Sequence, residues 1–234
     1  MRILAITCHP DDMELGCAGT LIKYIKQGHE AFSCNVANGN MGHVVIMPDE
    51  LRDIRRKEAE KSCSLAGIKY IPADFGDLTI DSTNIEQLEK ITKIIRDVNP
   101  DVIITHCPYD YCSDHVETSK LVFKASFDAS CPHFKPHLGE ASCVAPVFYV
   151  DIDRGLNFNP TEYVDITEEM ELKEKMLACH ESQLIWLRDH DGIDIIEEQR
   201  KQAALRGSQC EVKYAEGFTQ MIVPGRMRTY RLLP

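Results

Sequence analysis

Two stretches of the chain are apolar without alternation and stop abruptly in charge. Ile3 to Ile6 leads into His9-Pro10-Asp11-Asp12. Val102 to Ile104 leads into His106-Cys107-Pro108-Tyr109-Asp110-Tyr111-Cys112-Ser113-Asp114-His115. Unbroken apolar runs suit strands covered on both faces, as in a parallel sheet. Between them the period changes. Leu15, Ala18, Leu21, Ile22 and Ile25 recur at helical spacing and Gly28 follows as a cap. His29 to Ala37 reads as a second strand, and Asn38 to Gly42 as a glycine-bearing loop at its end. Glu50 to Leu65 reads as a charged helix stopped by Gly67, and Lys69 to Ile71 as a third strand. Thr83 and Glu86 have capping-box spacing ahead of a helix whose Ile85, Leu88, Ile91, Ile95 and Val98 share a face, and Asn99-Pro100 ends it. Asp101 to Thr105 is the fourth strand, and Val116 to Ala125 continues as a helix.

Beyond residue 128, Pro132, Pro136, Pro146 and Pro160 interrupt the pattern. Val147 to Ile152 reads as a strand. Glu168, Glu169 and Glu171 are placed in the first turn of a helix carrying Lys175 to Gln183. A further helix covers Ile193 to Leu205, and Gly217 to Val223 and Arg228 to Leu232 read as late strands. The alternation predicts an α/β protein with a Rossmann-like, doubly wound, mostly parallel sheet flanked by helices. No linker divides it, so residues 1–234 are expected to form a single domain, with a core at about 1–127 and a C-terminal elaboration at about 128–234.

Composition narrows the class. The 234 residues are 44% hydrophobic and 27% charged, as in ordinary globular proteins. A net charge of −11 argues against nucleic acid and anionic membranes as partners. No apolar run is long enough for membrane insertion, and the N-terminal run is too short for a secretory signal, so a cytoplasmic location is expected. The ten cysteines contain no Cys-x-x-Cys pair and read as reduced, mostly buried thiols.

The chemistry lies at the two strand ends. In a doubly wound sheet the first strands of the two halves lie side by side, and ligands bind outside their carboxyl ends. That topology brings His9, Asp11 and Asp12 against Asp114 and His115. Either cluster alone is commonly a turn, a cap or a structural histidine, and it is their coincidence at two adjacent strand ends that points to a site. Two histidines and one carboxylate form a three-ligand set with an open position, the catalytic form of a zinc site. A further carboxylate beside it can act as general base, which suits hydrolysis of an amide or ester. A dinucleotide reading fails, because no Gly-x-Gly-x-x-Gly follows the first strand and paired acids there would repel a pyrophosphate.

These residues resemble the PIG-L/LmbE-like zinc-dependent N-deacetylases, which include GlcNAc-phosphatidylinositol, bacillithiol and mycothiol pathway deacetylases. The matching pieces are His9-Pro10-Asp11-Asp12 with Glu14 and Gly16 to Thr20, Ile54-Arg55-x-x-Glu58, Asp110 with Asp114-His115, His180-x-Ser182-Gln183 and Glu216-x-Phe218. The resemblance implies that His9, Asp12 and His115 bind Zn2+, with Fe2+ or another divalent ion as an alternative. It implies that Asp11 is the general base, that Asp114 tunes a histidine, and that Arg55 reaches the substrate. It further implies removal of acetyl from an N-acetylated amino sugar, a small-molecule partner, and room for a homo-oligomer. The family has a histidine three residues before the last ligand, where this chain has Cys112. A thiol is a poor oxyanion donor, and His106 is the substitute that position suggests. A sugar- or metal-binding protein without turnover, or an amidase acting on a larger conjugate, are the competing readings. Loops 38–49, 106–113 and 128–145 are expected to set specificity.

Overall fold

Ile3, Leu4, Ala5 and Ile6 are all fully buried, and they alternate between two separate cores. The computed structural model, which describes residues 1–234, places them in the middle of a seven-stranded sheet. The strands are β1 (Arg2–Thr7), β2 (Glu30–Asn35), β3 (Lys69–Tyr70), β4 (Val102–Thr105), β5 (Val147–Val150), β6 (Glu162–Asp165) and β7 (Ala215–Gln220). Their order is β3-β2-β1-β4-β5-β7-β6, parallel from β3 through β5, with β7 antiparallel to both of its neighbours. Ile3 and Ala5 face a layer containing Leu21, Tyr24, Met170 and Met176. Leu4 and Ile6 face Leu88, Ile91, Leu121 and Val122.

The helices are α1 (Asp12–Gly16), α2 (Ala18–Lys26), α3 (Pro48–Ala66), α4 (Ile85–Val98), α5 (Ser113–Asp128), α6 (Met170–Leu177), α7 (Glu181–Trp186) and α8 (Ile195–Gln209). The order of the sheet reverses at β1, between β2 and β4. Ile6 pairs with Thr105 in the parallel register, so β1 and β4 end level and the segments after them emerge side by side.

Several elements differ from the sequence reading. The helix after His9-Pro10-Asp11-Asp12 is broken at Cys17 into α1 and α2. The break frees a helix N-terminus, which Glu216 of β7 fills. Its carboxylate accepts from the Gly19 and Thr20 amides at 2.9 and 2.8 Å, from the Thr20 hydroxyl at 2.6 Å and from Lys173 at 2.6 Å. Orphan amides and the helix dipole make such an end an anion site. The cap of α4 is Asn84, which accepts from the Glu86 and Gln87 amides. Thr83 instead bonds Asp81, and Ile85 is exposed rather than on the core face. The helix expected across Lys175 to Gln183 is two, α6 and α7, with His180 between them and only Glu171 in the first turn of α6. Strand β6 was not anticipated, and Arg228 to Leu232 forms no strand.

The proline-rich segment after α5 owes its order to one cation. Arg96, on α4 and 6% exposed, donates to the carbonyls of Asp128, Ala129, Cys131, Phe134, Lys135 and Gly139. Backbone carbonyls that lose a buried donor carry the full desolvation cost. Arg96→Met is therefore expected to destabilise the fold by about 3 kcal/mol or more, read as a lower denaturant midpoint at unchanged slope.

Candidate metal centre and active site

The segment after β1 turns sharply into α1. Asp11 takes a left-handed backbone, φ 104°, which costs energy for a residue with a side chain. Asp12 opens α1 and folds back to accept the His9 amide at 2.6 Å, while Asn35 donates to the His9 carbonyl at 2.8 Å. On the β4 side, α5 starts at Ser113, three residues before the sequence reading of Val116, so Asp114 and His115 lie in its first turn.

These turns bring three donor atoms into a near-equilateral triangle. His9 Nδ1 lies 3.4 Å from Asp12 Oδ2, His115 Nε2 lies 3.4 Å from the same oxygen, and the two nitrogens are 3.3 Å apart. Ligands held 2.0–2.1 Å from a tetrahedral ion are separated by about 3.3 Å. The donor set fits a divalent ion with one position left open.

The far nitrogens of both imidazoles are backed by acids. His9 Nε2 lies 3.4 Å from Asp114 Oδ2, and that oxygen also accepts the Leu78 amide at 2.7 Å. His115 Nδ1 lies 3.2 Å from Asp110 Oδ1, a contact of poor alignment that leaves the nitrogen without a good hydrogen bond. Such outer carboxylates fix which nitrogen of a histidine faces a metal. They also make the centre cation-seeking. Burial works against charge on His9 and His115, yet their acidic neighbours, Asp114 and Asp12 for His9 and Asp12 and Asp110 for His115, hold both above the ordinary imidazole range. Burial works against charge on Asp12 as well, and His115 above all holds it well below the carboxylate range.

Two neighbours that could compete for an ion are otherwise engaged. Burial pushes the Cys8 thiol up, so it keeps its proton. His106 Nε2 lies 3.3 Å from Asp12 Oδ2 but accepts the Cys8 amide at 2.8 Å, so its lone pair is spent. Burial lowers the affinity of His106 for a proton, and the ring stays neutral with its hydrogen on Nδ1. It stacks on His115 at 3.9 Å and 16°. The ring is therefore held in place by the Cys8 amide and the His115 stack.

Asp11 is held from behind. Arg55, 3% exposed on α3, places Nη2 at 3.1 Å from Asp11 Oδ2 and bonds the Pro10 and Gly39 carbonyls. No donor holds Asp11 Oδ1. Burial raises the Asp11 carboxyl to about 6, with Arg55 opposing and Asp12 adding to the rise. Arg55, expected to reach the substrate, is paired with Asp11 in the structure. His180 is fully buried beside Glu14, at 3.2 Å, and away from the open space.

A cavity of about 230 Å³ has Asp12, His106 and His115 in one wall. His9 and Asp11 are not part of that wall, and their side chains keep 18% and 11% exposure. The remaining lining comes from Leu15 and Gly16, from Asp110 and Tyr111, from 150–154, and from 187–202. Of the three loops expected to set specificity, 106–113 contributes His106, Asp110 and Tyr111 to this cavity, and 38–49 and 128–145 do not line it. Gln199 and Glu198 were missed because their positions on α8 read as an ordinary polar face.

A family profile described as PIG-L, GlcNAc-PI de-N-acetylase, matches residues 4–126, more than half of the chain. The diacetylchitobiose deacetylase of Thermococcus kodakarensis is 30% identical over 236 aligned residues, which span 96% of this chain and 84% of that protein. The chain belongs to the PIG-L family. Among solved structures, the N,N'-diacetylchitobiose deacetylase of Pyrococcus horikoshii superposes with a TM-score of 0.80 at 29% identity, covering 94% of this chain and 83% of that one. A 4-carboxy-2-hydroxymuconate hydratase from Pseudomonas putida superposes with a TM-score of 0.83 at 20% identity, covering 100% and 99%. That second likeness concerns the fold alone, so the chemistry has to be argued from the site. The PIG-L match contains the donor triangle, Asp11 and Arg55. It ends before the cavity walls at 150–154 and 187–202.

Proposed function

We propose that this PIG-L chain is a divalent-metal-dependent hydrolase that removes the acetyl group from an N-acetylglucosamine-type amino sugar or its conjugate. The observation that carries this reading is the His9–Asp12–His115 triangle, and Asp11, adjacent to Asp12 in the chain, keeps one carboxylate oxygen free of Arg55. His9 Nδ1, Asp12 Oδ2 and His115 Nε2 would hold the ion, and zinc suits two imidazoles and a carboxylate, with Fe2+ the alternative. When bound, the ion supplies a Lewis acid that polarises the acetyl carbonyl and acidifies water near neutral pH.

The chain's own residues do the rest. Arg55 holds Asp11 Oδ2, so Asp11 Oδ1 is aimed and free to accept a proton from the attacking water. The same carboxyl then returns that proton to the departing nitrogen, which leaves as an amine. Asp114 bonds His9 Nε2 and so favours the tautomer that turns Nδ1 to the centre, and Asp110, beside His115 Nδ1, biases that ring in the same way by charge. His106 carries its hydrogen on Nδ1 in the cavity wall, where it can donate to the oxygen on which charge develops. This assigns to His106 the role that a histidine at position 112 would have. His106→Gln is expected to lower kcat about 10²-fold, the cost of one such donor, and Cys112→Ala to leave it nearly unchanged. The reverse pattern in steady-state kinetics would give the role to the thiol.

The reading as a whole is tested by acetate release from N,N'-diacetylchitobiose. Acetate should form, stop on chelation and resume on adding Zn2+ or Fe2+. Release that chelator does not touch, or tight sugar binding without any release, would refute it.

A further inference from the structure

Beyond the donor triangle the charged groups of the cavity wall are mostly carboxylates, set among apolar side chains. They comprise Asp110, Asp151, Asp153 and Glu198, against one cation, Arg154. That cation is already bracketed, with Nε 3.7 Å from Asp153 and 3.6 Å from Glu198. Asp151 is matched by Arg206, which sits behind the wall, at 2.6 and 3.0 Å. Gln199 adds an acceptor that nothing in the chain satisfies. The residue is 4% exposed and lines the cavity. Its Nε2 donates to the Glu14 carbonyl at 2.8 Å, which fixes the amide orientation and leaves Oε1 buried without a partner. A buried acceptor without a donor is costly and asks for a ligand that brings one. Leu15, Val150, Leu187, Ile193 and Ile195 supply an apolar lining between these polar groups.

We infer that this cavity takes an aglycone rich in hydroxyl, amide or ammonium donors, gives one of them to Gln199 Oε1, and rejects an aglycone carrying carboxylate or phosphate. An anionic group entering here meets Asp153 and Glu198, which flank Arg154, the one cation of this part of the lining. Like charges placed together at an interface are a means of rejecting a wrong partner, and the chain's net charge of −11 acts in the same direction during approach. The substrate class is thus a neutral or amine-bearing oligosaccharide rather than an acidic sugar conjugate. This inference rests on the deacetylase reading above.

The test compares acetate release from three probes: N,N'-diacetylchitobiose, its mono-deacetylated form bearing one free amine, and N-acetylglucosamine 1-phosphate. The first two are expected to have kcat/KM values about 10²-fold above the third, the scale of a few unfavourable charge contacts. In Asp153→Asn/Glu198→Gln, Arg154 is released, and the phosphate probe should gain about tenfold. Adding Arg154→Met to that variant should remove the gain. Gln199→Met should raise KM for the neutral disaccharide about tenfold and, because the Glu14 carbonyl loses its donor, lower the melting temperature by a few degrees. Equal kcat/KM for all three probes, or a double variant that leaves the phosphate probe unchanged, would overturn the inference while leaving the deacetylase reading standing. Absence of acetate from every probe would overturn that reading itself and the inference with it.

Discussion

Asp11→Asn should lower kcat for acetate release by about 10³-fold, within the range that a positioned general base supplies, while the metal content of the protein stays that of the parent. The substitution keeps size, turn and a polar group, so the left-handed backbone at position 11 survives. What it removes is the proton acceptor. The ion pair with Arg55 is lost too, at a buried guanidinium that retains the Pro10 and Gly39 carbonyls. A base acts on the chemical step, so KM should move little and kcat should carry the loss. A variant that binds its substrate and metal normally and turns over normally would remove Asp11 from the mechanism.

Asp12→Ala should abolish both metal retention and activity. The single oxygen Oδ2 is 3.4 Å from each ligand nitrogen and also accepts the His9 amide, so its loss removes one donor and unpins the turn that aims another. The effect should exceed the roughly 10–100-fold loss in affinity caused by removing an outer partner. Asp110→Asn and Asp114→Asn provide that comparison, because each backs one histidine without joining the triangle. Titration with a competing chelator ranks the three variants, and the order Asp12 above Asp110 and Asp114 is the expected one.

The sheet centre was legible because β1 and β4 are buried on both faces, and such strands write themselves as unbroken apolar runs. Their level ends follow from topology, which the strand–helix alternation dictates. The boundaries and the periphery were less legible for identifiable reasons. Strand β6 has one fully buried residue, Val164, and its pairing is decided by β7, more than fifty positions later. Leu232 and Leu233 are buried, with the Leu232 carbonyl accepting from Tyr24, so the apolar pattern there reports packing rather than a ladder. The break at Cys17 depends on Glu216 and Lys173, whose meeting at α2 no local pattern encodes. Arg55 was singled out by the family resemblance as reaching the substrate, whereas its pairing with Asp11 depends on how α3 packs and is written in no local pattern. The cavity wall was the least legible part. Gln199 is chemically unremarked in sequence, and its importance lies in one unpaired oxygen in three dimensions.

The central claim is that His9 Nδ1, Asp12 Oδ2 and His115 Nε2 together hold one divalent ion. Anomalous diffraction at the zinc edge, from crystals of the zinc-loaded protein, tests it most directly. A single peak about 2.0–2.1 Å from each of those three atoms, with no bond to Cys8, His106 or Cys112, is the predicted result. No peak at the triangle, or an ion held through the Cys112 thiol or His106 Nε2 in place of one of the three, would contradict it.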